Sequence, residues 1–567
     1  MIVYLRSLVI RTLIICSVPT TIKAQRASFQ QLTDSESGID FINTFNVPDS
    51  VDPNGFLYLW NGGGVAIGDV NNDGLQDIFF TGNTVPNKLY INLGNLKFKD
   101  ATSEFQIDKD DPGWNTGVTM ADVNMDGWLD IYVCRSQIGD FPSRNLLYIN
   151  QRGERFEEQA EKYGLGVKDN CTQATFLDSD LDGDLDLYVL TYPKQGAQYS
   201  VYQSQYSGGV DQLLVNTNGT YLKHENPNPK VSFGLGVISA DFDNNNVPDL
   251  YVANDLLSID QYIRGPVSLM KDDLSNSFDH ISFNSMGIDA GDVNNDGLTD
   301  LVVLDMLPDD PVRQHMQTFL TSDYQQLLER GGYYRQYVRN VLQLNTGQGF
   351  AEAGAQFGIA ETDWSWSPLL FDSNNDGNLD LFVSNSLKKD FMNKDLSMFI
   401  LDTLTRFDKA KQKNRVYKEI IAGLPEFRLK NRLLLGNGLR FTDVSDLIGS
   451  GKKINTTGSA YADLDNDGDL DLVLNNLDTT SFILRNTWKE QKQRGHYLRL
   501  RLSIKEGGTP AYGASVMSYS GNTRRKFELI NSRGFQSCSE AVIHIGIADG
   551  QKVDSLLITW PNGLTEL

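Results

Sequence analysis

The stretch DVNNDGLQD, Asp69 to Asp77, sets oxygen-bearing side chains at its first, third, fifth and ninth positions and glycine at its sixth. Nearly the same phrase recurs from Asp122, Asp178, Asp241, Asp292, Asp372 and Asp463, making seven copies. In a helix–loop–helix calcium site the twelfth position is a glutamate on the exiting helix. Here that position is Phe80, Val133, Val189, Val252, Val303, Val383 or Leu474, and each loop runs into an apolar stretch such as DIFF or DLYV. The loops therefore join strand to strand. Glycine stands five residues before the first aspartate in five copies (Gly64, Gly117, Gly236, Gly287 and Gly458), as suits a strand crowded against its equivalents near an axis. Hairpin patterns such as LLYINQRGERF (146–156) and LLLGNGLRF (433–441) follow the loops. Four strands per unit in seven units is the rhythm of a seven-bladed β-propeller, so the expected fold class is all-β.

A hard cation wants six to eight oxygens. Side chains at positions one, three, five and nine and the carbonyl at seven would supply most of them. The candidate ligands of loop one are Asp69, Asn71, Asp73, Leu75 and Asp77. Loop two offers Asp122, Asn124, Asp126, Trp128 and Asp130, and loop three Asp178, Asp180, Asp182, Asp184 and Asp186. Loop four offers Asp241, Asp243, Asn245, Val247 and Asp249, and loop five Asp292, Asn294, Asp296, Leu298 and Asp300. Loop six offers Asp372, Asn374, Asp376, Asn378 and Asp380, and loop seven Asp463, Asp465, Asp467, Asp469 and Asp471. The expected cofactor is Ca2+ at about seven sites, mainly structural. Loop four is the most degenerate, with Asn246 where the others have glycine; asparagine tolerates the left-handed backbone. Loops three and seven, richest in carboxylate, should hold calcium best and loop four worst.

The loops contain 25 aspartates, a large part of the acid behind a formal charge of −23. That charge argues against nucleic acid as a partner. Residues 1–24 carry Arg6 and Arg11, an apolar stretch from Leu13 to Val18 and Ala24 at a plausible cut, which reads as a signal peptide. Lipid attachment at Cys16 is the alternative, disfavoured by the bulky Ile15. No later segment is apolar for long enough to span a membrane. Localisation is therefore expected to be secreted or in the cell envelope. Cys134, Cys171 and Cys538 are too few for a disulfide scaffold. Cys134 and Cys171 fall on neighbouring units and read either as a disulfide or as two buried thiols.

The repeats resemble the FG-GAP/VCBS repeats of integrin α-subunit propellers. From about Tyr497, the motifs YLRLRL, GASVMSYSG, SRGFQSCSE, HIGIAD and VDSLLITWPNG resemble the ASPIC/UnbV domain. The combination is similar to the cartilage-acidic-protein-like family and its bacterial relatives. The resemblance implies a secreted calcium-binding propeller, often linked to adhesion. It divides the chain into a signal peptide (1–24), a propeller (25–490) and a small β-rich tail domain (491–567), whose ending at Leu567 points to truncation.

Eight residues before each loop, about 26 Å away at strand rise, stand Asn61, Trp114, Asn170, Phe233, Asn284, Trp364 and Asn455. Trp60 and Trp366 lie close by. Alternating amides and aromatics suit a glycan or an extracellular protein ligand, and ordinary strand-end residues are the competing reading. Two insertions with helical spacing, about 306–338 and 386–430, leave from the same face. The five histidines do not cluster, and neither GxSxG nor HExxH occurs. A binding or adhesion module is expected. The alternative is a polysaccharide lyase or hydrolase using the face opposite the loops, and a quinone dehydrogenase propeller is a third reading without specific support. Unit seven lacks a fourth strand, and residues 27–32 are expected to supply it.

Overall fold

The computed structural model describes residues 29–45, 58–107, 113–138, 141–193, 209–224, 231–255, 259–266, 271–317, 322–331, 334–390, 393–407, 410–449, 452–491, 495–504 and 508–567. The signal-peptide assignment and Cys16 lie outside the described residues. Strand content of 42% against 12% helix makes the chain all-β.

Each loop links the first two strands of an antiparallel sheet. Sheet one comprises Val65–Gly68, Asp77–Phe80, Lys88–Asn92 and Phe98–Asp100. The same order recurs in six further sheets among the described residues, whose first strands are Trp114–Ala121, Asn170–Leu177, Gly234–Ala240, Ile288–Gly291, Asp363–Phe371 and Thr456–Ala462, with Met306–Leu307 added as a fifth strand beside Asp363–Phe371. First strands of consecutive sheets lie side by side, and that of sheet seven meets that of sheet one, so the sheets close a ring.

The recurrent glycines show why that packing needs them. A Cβ on Gly117 would stand 2.5 Å from the Thr172 carbonyl oxygen, one on Gly287 1.8 Å from that of Trp366, and one on Gly458 2.6 Å from that of Gly63. Each approach is to the backbone of the next sheet.

The seam closes with the N-terminal segment, as the sequence suggests. Phe29–Gln31 pairs antiparallel with Phe482–Asn486, setting Phe29 opposite Asn486. Phe29 is fully buried in the cluster between sheets six and seven. Deleting residues 26–40 removes this strand and is expected to destabilise the whole ring, with Phe29 alone worth about 3–5 kcal/mol. A urea unfolding midpoint equal to that of the full chain would refute the closure role.

Neighbouring sheets are also tied by an asparagine ending the third strand. Asn92, Asn150, Asn345 and Asn486 donate through Nδ2 to the carbonyls of Leu464, Val70, Phe242 and Ser373, the second residues of the preceding loops. The expected helices occupy the insertions, at Pro311–Gln317, Ser322–Arg330, Lys394–Thr405 and Ala410–Gly423. They follow second strands, which run away from the loops, and so stand at the opposite end.

The tail begins at Gly495 and forms a two-stranded and a four-stranded sheet. Its segment 531–540 enters the axis of the ring. The Gln536 carbonyl accepts from Val118 N at 3.0 Å and would lie 1.7 Å from a Cβ on Gly64. Gly534 pairs with Ile288, Cys538 pairs with Ala66, and Ser532 Oγ donates to the Val237 carbonyl. The tail is thus part of the core of the ring.

Cys134 and Cys171 are free buried thiols, which corrects the disulfide reading. Both lie in one apolar cluster, packed as small hydrophobes, and Cys171 Sγ is directed at the Asp169 carbonyl at 3.6 Å.

Candidate metal centre

Two left-handed residues shape each loop. The fourth position has a φ between 53° and 65° in all seven loops, and the sixth is glycine except Asn246, whose φ is 61°. The chain curls so that the first aspartate caps its own turn: Asp69 Oδ1 and Oδ2 accept from Asp73 N at 3.0 Å and Gly74 N at 2.9 Å. The loops also hold one another. Asn72, Asn375 and Asn466 at the fourth position donate to the Gly127, Gly468 and Gly74 carbonyls of the next loop, the last closing the circle.

The ninth aspartate has a second duty. Asp77 Oδ2 accepts from Val70 N at 3.0 Å and Oδ1 from Asn92 N at 2.8 Å, tying the loop to the third strand. The same pair of bonds is made by Asp130, Asp186, Asp249, Asp300, Asp380 and Asp471. A carboxylate offers about four lone pairs, so these residues keep acceptor capacity while acting as struts. Burial pushes Asp77 and Asp300 up to about 8.

Positions one, three and five converge. In loops three and seven the carboxylates of Asp178, Asp180 and Asp182, and of Asp463, Asp465 and Asp467, lie within 4.8 Å of one another. In loops one, two and five the third-position amide donates to the fifth-position carboxylate, as Asn71 does to Asp73 at 2.9 Å. Asp184 Oδ1 in loop three is buried without a hydrogen-bond partner, and burial plus the charges of Asp182 and Asp186 push its carboxyl up to about 7. Like charges gathered this closely repel unless a cation lies between them. An all-oxygen donor set with an orphaned buried oxygen fits a hard divalent cation.

The tail domain covers this face. Arg499 donates to Asp463 Oδ2 at 3.0 Å, Lys526 N to Asp292 Oδ2 at 3.0 Å, and Arg524 and Arg525 to the Asp296 and Gly377 carbonyls. Thr509 Oγ1 donates to Asp122 Oδ2. These contacts were not foreseen from the loops. Their signal was the basic clustering of RLR (499–501) and RRK (524–526) in an acidic chain.

At the other end the residues proposed as a ligand ring come together but are covered. Trp114, Phe233 and Trp364 are 2%, 7% and 8% exposed, in one apolar cluster with Tyr58, Trp366 and the tail residue Phe535. Asn170 and Asn455 accept from Gln137 N and Leu387 N, and Asn284 donates to Asp305, as strand-end ties. Asn61 is buried too. The open aromatic platform is therefore corrected to a core, in which Phe535 packs on Trp366, Phe45 on Trp114 and Tyr58 on Phe233. Trp114→Ala and Trp364→Ala are each expected to cost about 3–5 kcal/mol of stability, read by urea denaturation. Unchanged unfolding midpoints would restore the ligand-platform reading. Trp60 stays partly exposed, with Lys388 Nζ 5.2 Å from its ring centroid.

Seven sheets in a ring, one acidic turn per sheet and an axial tail define a β-repeat protein with candidate cation loops. Residues 69–133 match the FG-GAP-like repeat and residues 505–567 match ASPIC and UnbV. It is similar to cartilage acidic protein 1 of Xenopus tropicalis, 23% identical over 536 residues, covering 88% of this chain and 70% of that protein. Human cartilage acidic protein 1 is 28% identical over 199 residues, 34% of this chain and 28% of that protein. Among solved structures, the exotype rhamnogalacturonan lyase YesX aligns with 75% of this chain and 72% of its own at 11% identity, with a TM-score of 0.36, too low to bear on function.

Proposed function

We propose that the seven sheets are the blades of a closed propeller that binds calcium in its repeated loops and presents its opposite end to a glycan or protein ligand, as an exported adhesion or binding module. The converging oxygen donors of the loops carry the calcium part of this reading. Asp at positions one and five and Asp or Asn at position three would hold the ion, with the seventh carbonyl and ninth carboxylate completing its shell. The ion would neutralise the gathered carboxylates and lock each turn against its neighbour.

The tail covers the loop face, so ligand contact falls to the opposite end. There Trp60 offers an aromatic face beside Lys388, and the helices Pro311–Gln317 and Lys394–Thr405 stand nearby, joined by Lys394 Nζ donating to the His315 carbonyl at 2.8 Å. Among the described residues no helix is long and apolar enough to cross a membrane. Export rests on the signal-like start of the sequence.

A glycan and matrix-protein binding array, run beside polysaccharide-cleavage assays, tests the ligand reading. Saturable binding lost in Trp60→Ala, with melting unchanged, supports it. Cleavage of a polysaccharide would replace it with the enzyme reading.

A further inference from the structure

Loop four departs from the other six in chemistry, although its shape is the same. Its carboxylates Asp241, Asp243 and Asp249 converge within 4.8 Å, as closely as those of loops three and seven. Geometry alone would therefore give it a cation.

The donor atoms argue otherwise. Where the fifth residue is aspartate, its Oδ1 accepts the N–H of the seventh residue, as Asp73 does from Leu75 and Asp126 from Trp128. The second carboxylate oxygen, Oδ2, accepts from the third-position amide in loops one and two and keeps further lone pairs and the negative charge. In loop four the fifth residue is Asn245, and its single side-chain oxygen accepts from Val247 N at 2.7 Å. What remains is one lone pair on an uncharged oxygen and Nδ2, a donor that cannot ligate a metal.

Two of its carboxylates already face basic side chains, one of which, Arg264, also lies 3.3 Å from Asp273. Arg264 directs Nε and Nη2 at Asp243 Oδ2, the former at 3.1 Å. Lys526, buried in the tail, donates from Nζ to the Asp241 carbonyl at 2.8 Å and to Asn244 Oδ1 at 2.7 Å, with Asp241 Oδ2 3.7 Å away. Glu528 ties the arrangement by accepting from Asp241 N at 2.9 Å and pairing with Lys526 at 2.8 Å. Loop seven also has arginines on its first and third aspartates, Arg499 on Asp463 and Arg485 3.7 Å from Asp465, but it keeps a carboxylate, Asp467, at the fifth position.

We infer that loop four takes no calcium: Arg264 and Lys526 are its built-in cations, and it is the metal-independent anchor between the ring and the tail domain. This rests on the calcium reading of the other loops and sets their number at six.

The test uses the full chain equilibrated with calcium, counting bound ions by elemental analysis of the desalted protein. Asp243→Ala is expected to leave the count unchanged, and Asp126→Ala to lower it by one. Loss of one ion in Asp243→Ala overturns the inference while leaving the calcium reading intact. A wild-type chain that holds no calcium overturns both. Hydrogen exchange is the second measure, insensitive to whether a variant folds. Adding chelator to wild type should speed exchange of the loop-two amides by at least about tenfold and leave those of loop four within about twofold. An equal rise in both loops overturns the inference.

Discussion

Chelating calcium from the purified chain is expected to lower its melting temperature by about 10 °C or more. A ligand that binds only the native state stabilises it by mass action, about 2.7 kcal/mol per site at a hundredfold excess over Kd. Several sites acting together would give a total that is large beside the 5–15 kcal/mol by which folded domains exceed their unfolded state. Without the ion, the carboxylates of each loop are left facing one another. Loops three and seven suffer most, because Asp178, Asp180 and Asp182, and Asp463, Asp465 and Asp467, converge as charges with no third-position amide among them. Asp182→Asn is therefore expected to lower calcium affinity at its loop, by giving it the fifth-position asparagine that loop four already has in Asn245. Differential scanning calorimetry with and without chelator decides the matter, and coincident melts would refute the structural-calcium reading.

Phe535→Ala and Arg533→Ala in the axial segment are expected to unfold the ring as well as loosen the tail. Phe535 is fully buried, with its ring centroid 4.8 Å from that of Trp366, and truncating such a side chain costs about 3–5 kcal/mol. Arg533 Nη1 donates to Asp289 Oδ1 at 2.6 Å, with the carboxylate fully buried. Asp289 Oδ2 in turn accepts from Leu370 N at 2.7 Å, so one residue joins sheet five, sheet six and the tail. Removing one partner of a buried ion pair leaves the other uncompensated, at about 3–5 kcal/mol. Arg533→Met with Asp289→Leu should recover part of the loss of Arg533→Ala. The measurement is urea unfolding followed by tryptophan fluorescence, which reports on Trp114 and Trp364 in the ring. A ring transition untouched by either substitution would show the axial segment to be a guest rather than part of the core.

The loops and strands were legible along the chain because their information is local. Nine-residue phrases set the turn, apolar runs set the strands, and glycines at one spacing announced the crowded first strands. Even the closing strand could be matched by its likeness to other repeat ends, and Phe29 pairs where that likeness put it. The aromatic ring was misjudged for a reason of the same kind. Counting along strands located Trp114, Phe233 and Trp364 at one end of the ring, but whether that end is open depends on Phe535, some 170 to 420 residues away in sequence. The partners of the loops were likewise hidden. Asn245 looks like a conservative stand-in for aspartate until Val247 N engages its one uncharged oxygen, and Lys526 meets Asp241 only when the tail folds onto the ring. Local spacing specified each unit and its donor atoms, whereas burial, charge balance and the choice of exposed face arise from long-range packing, which no single stretch of the chain encodes.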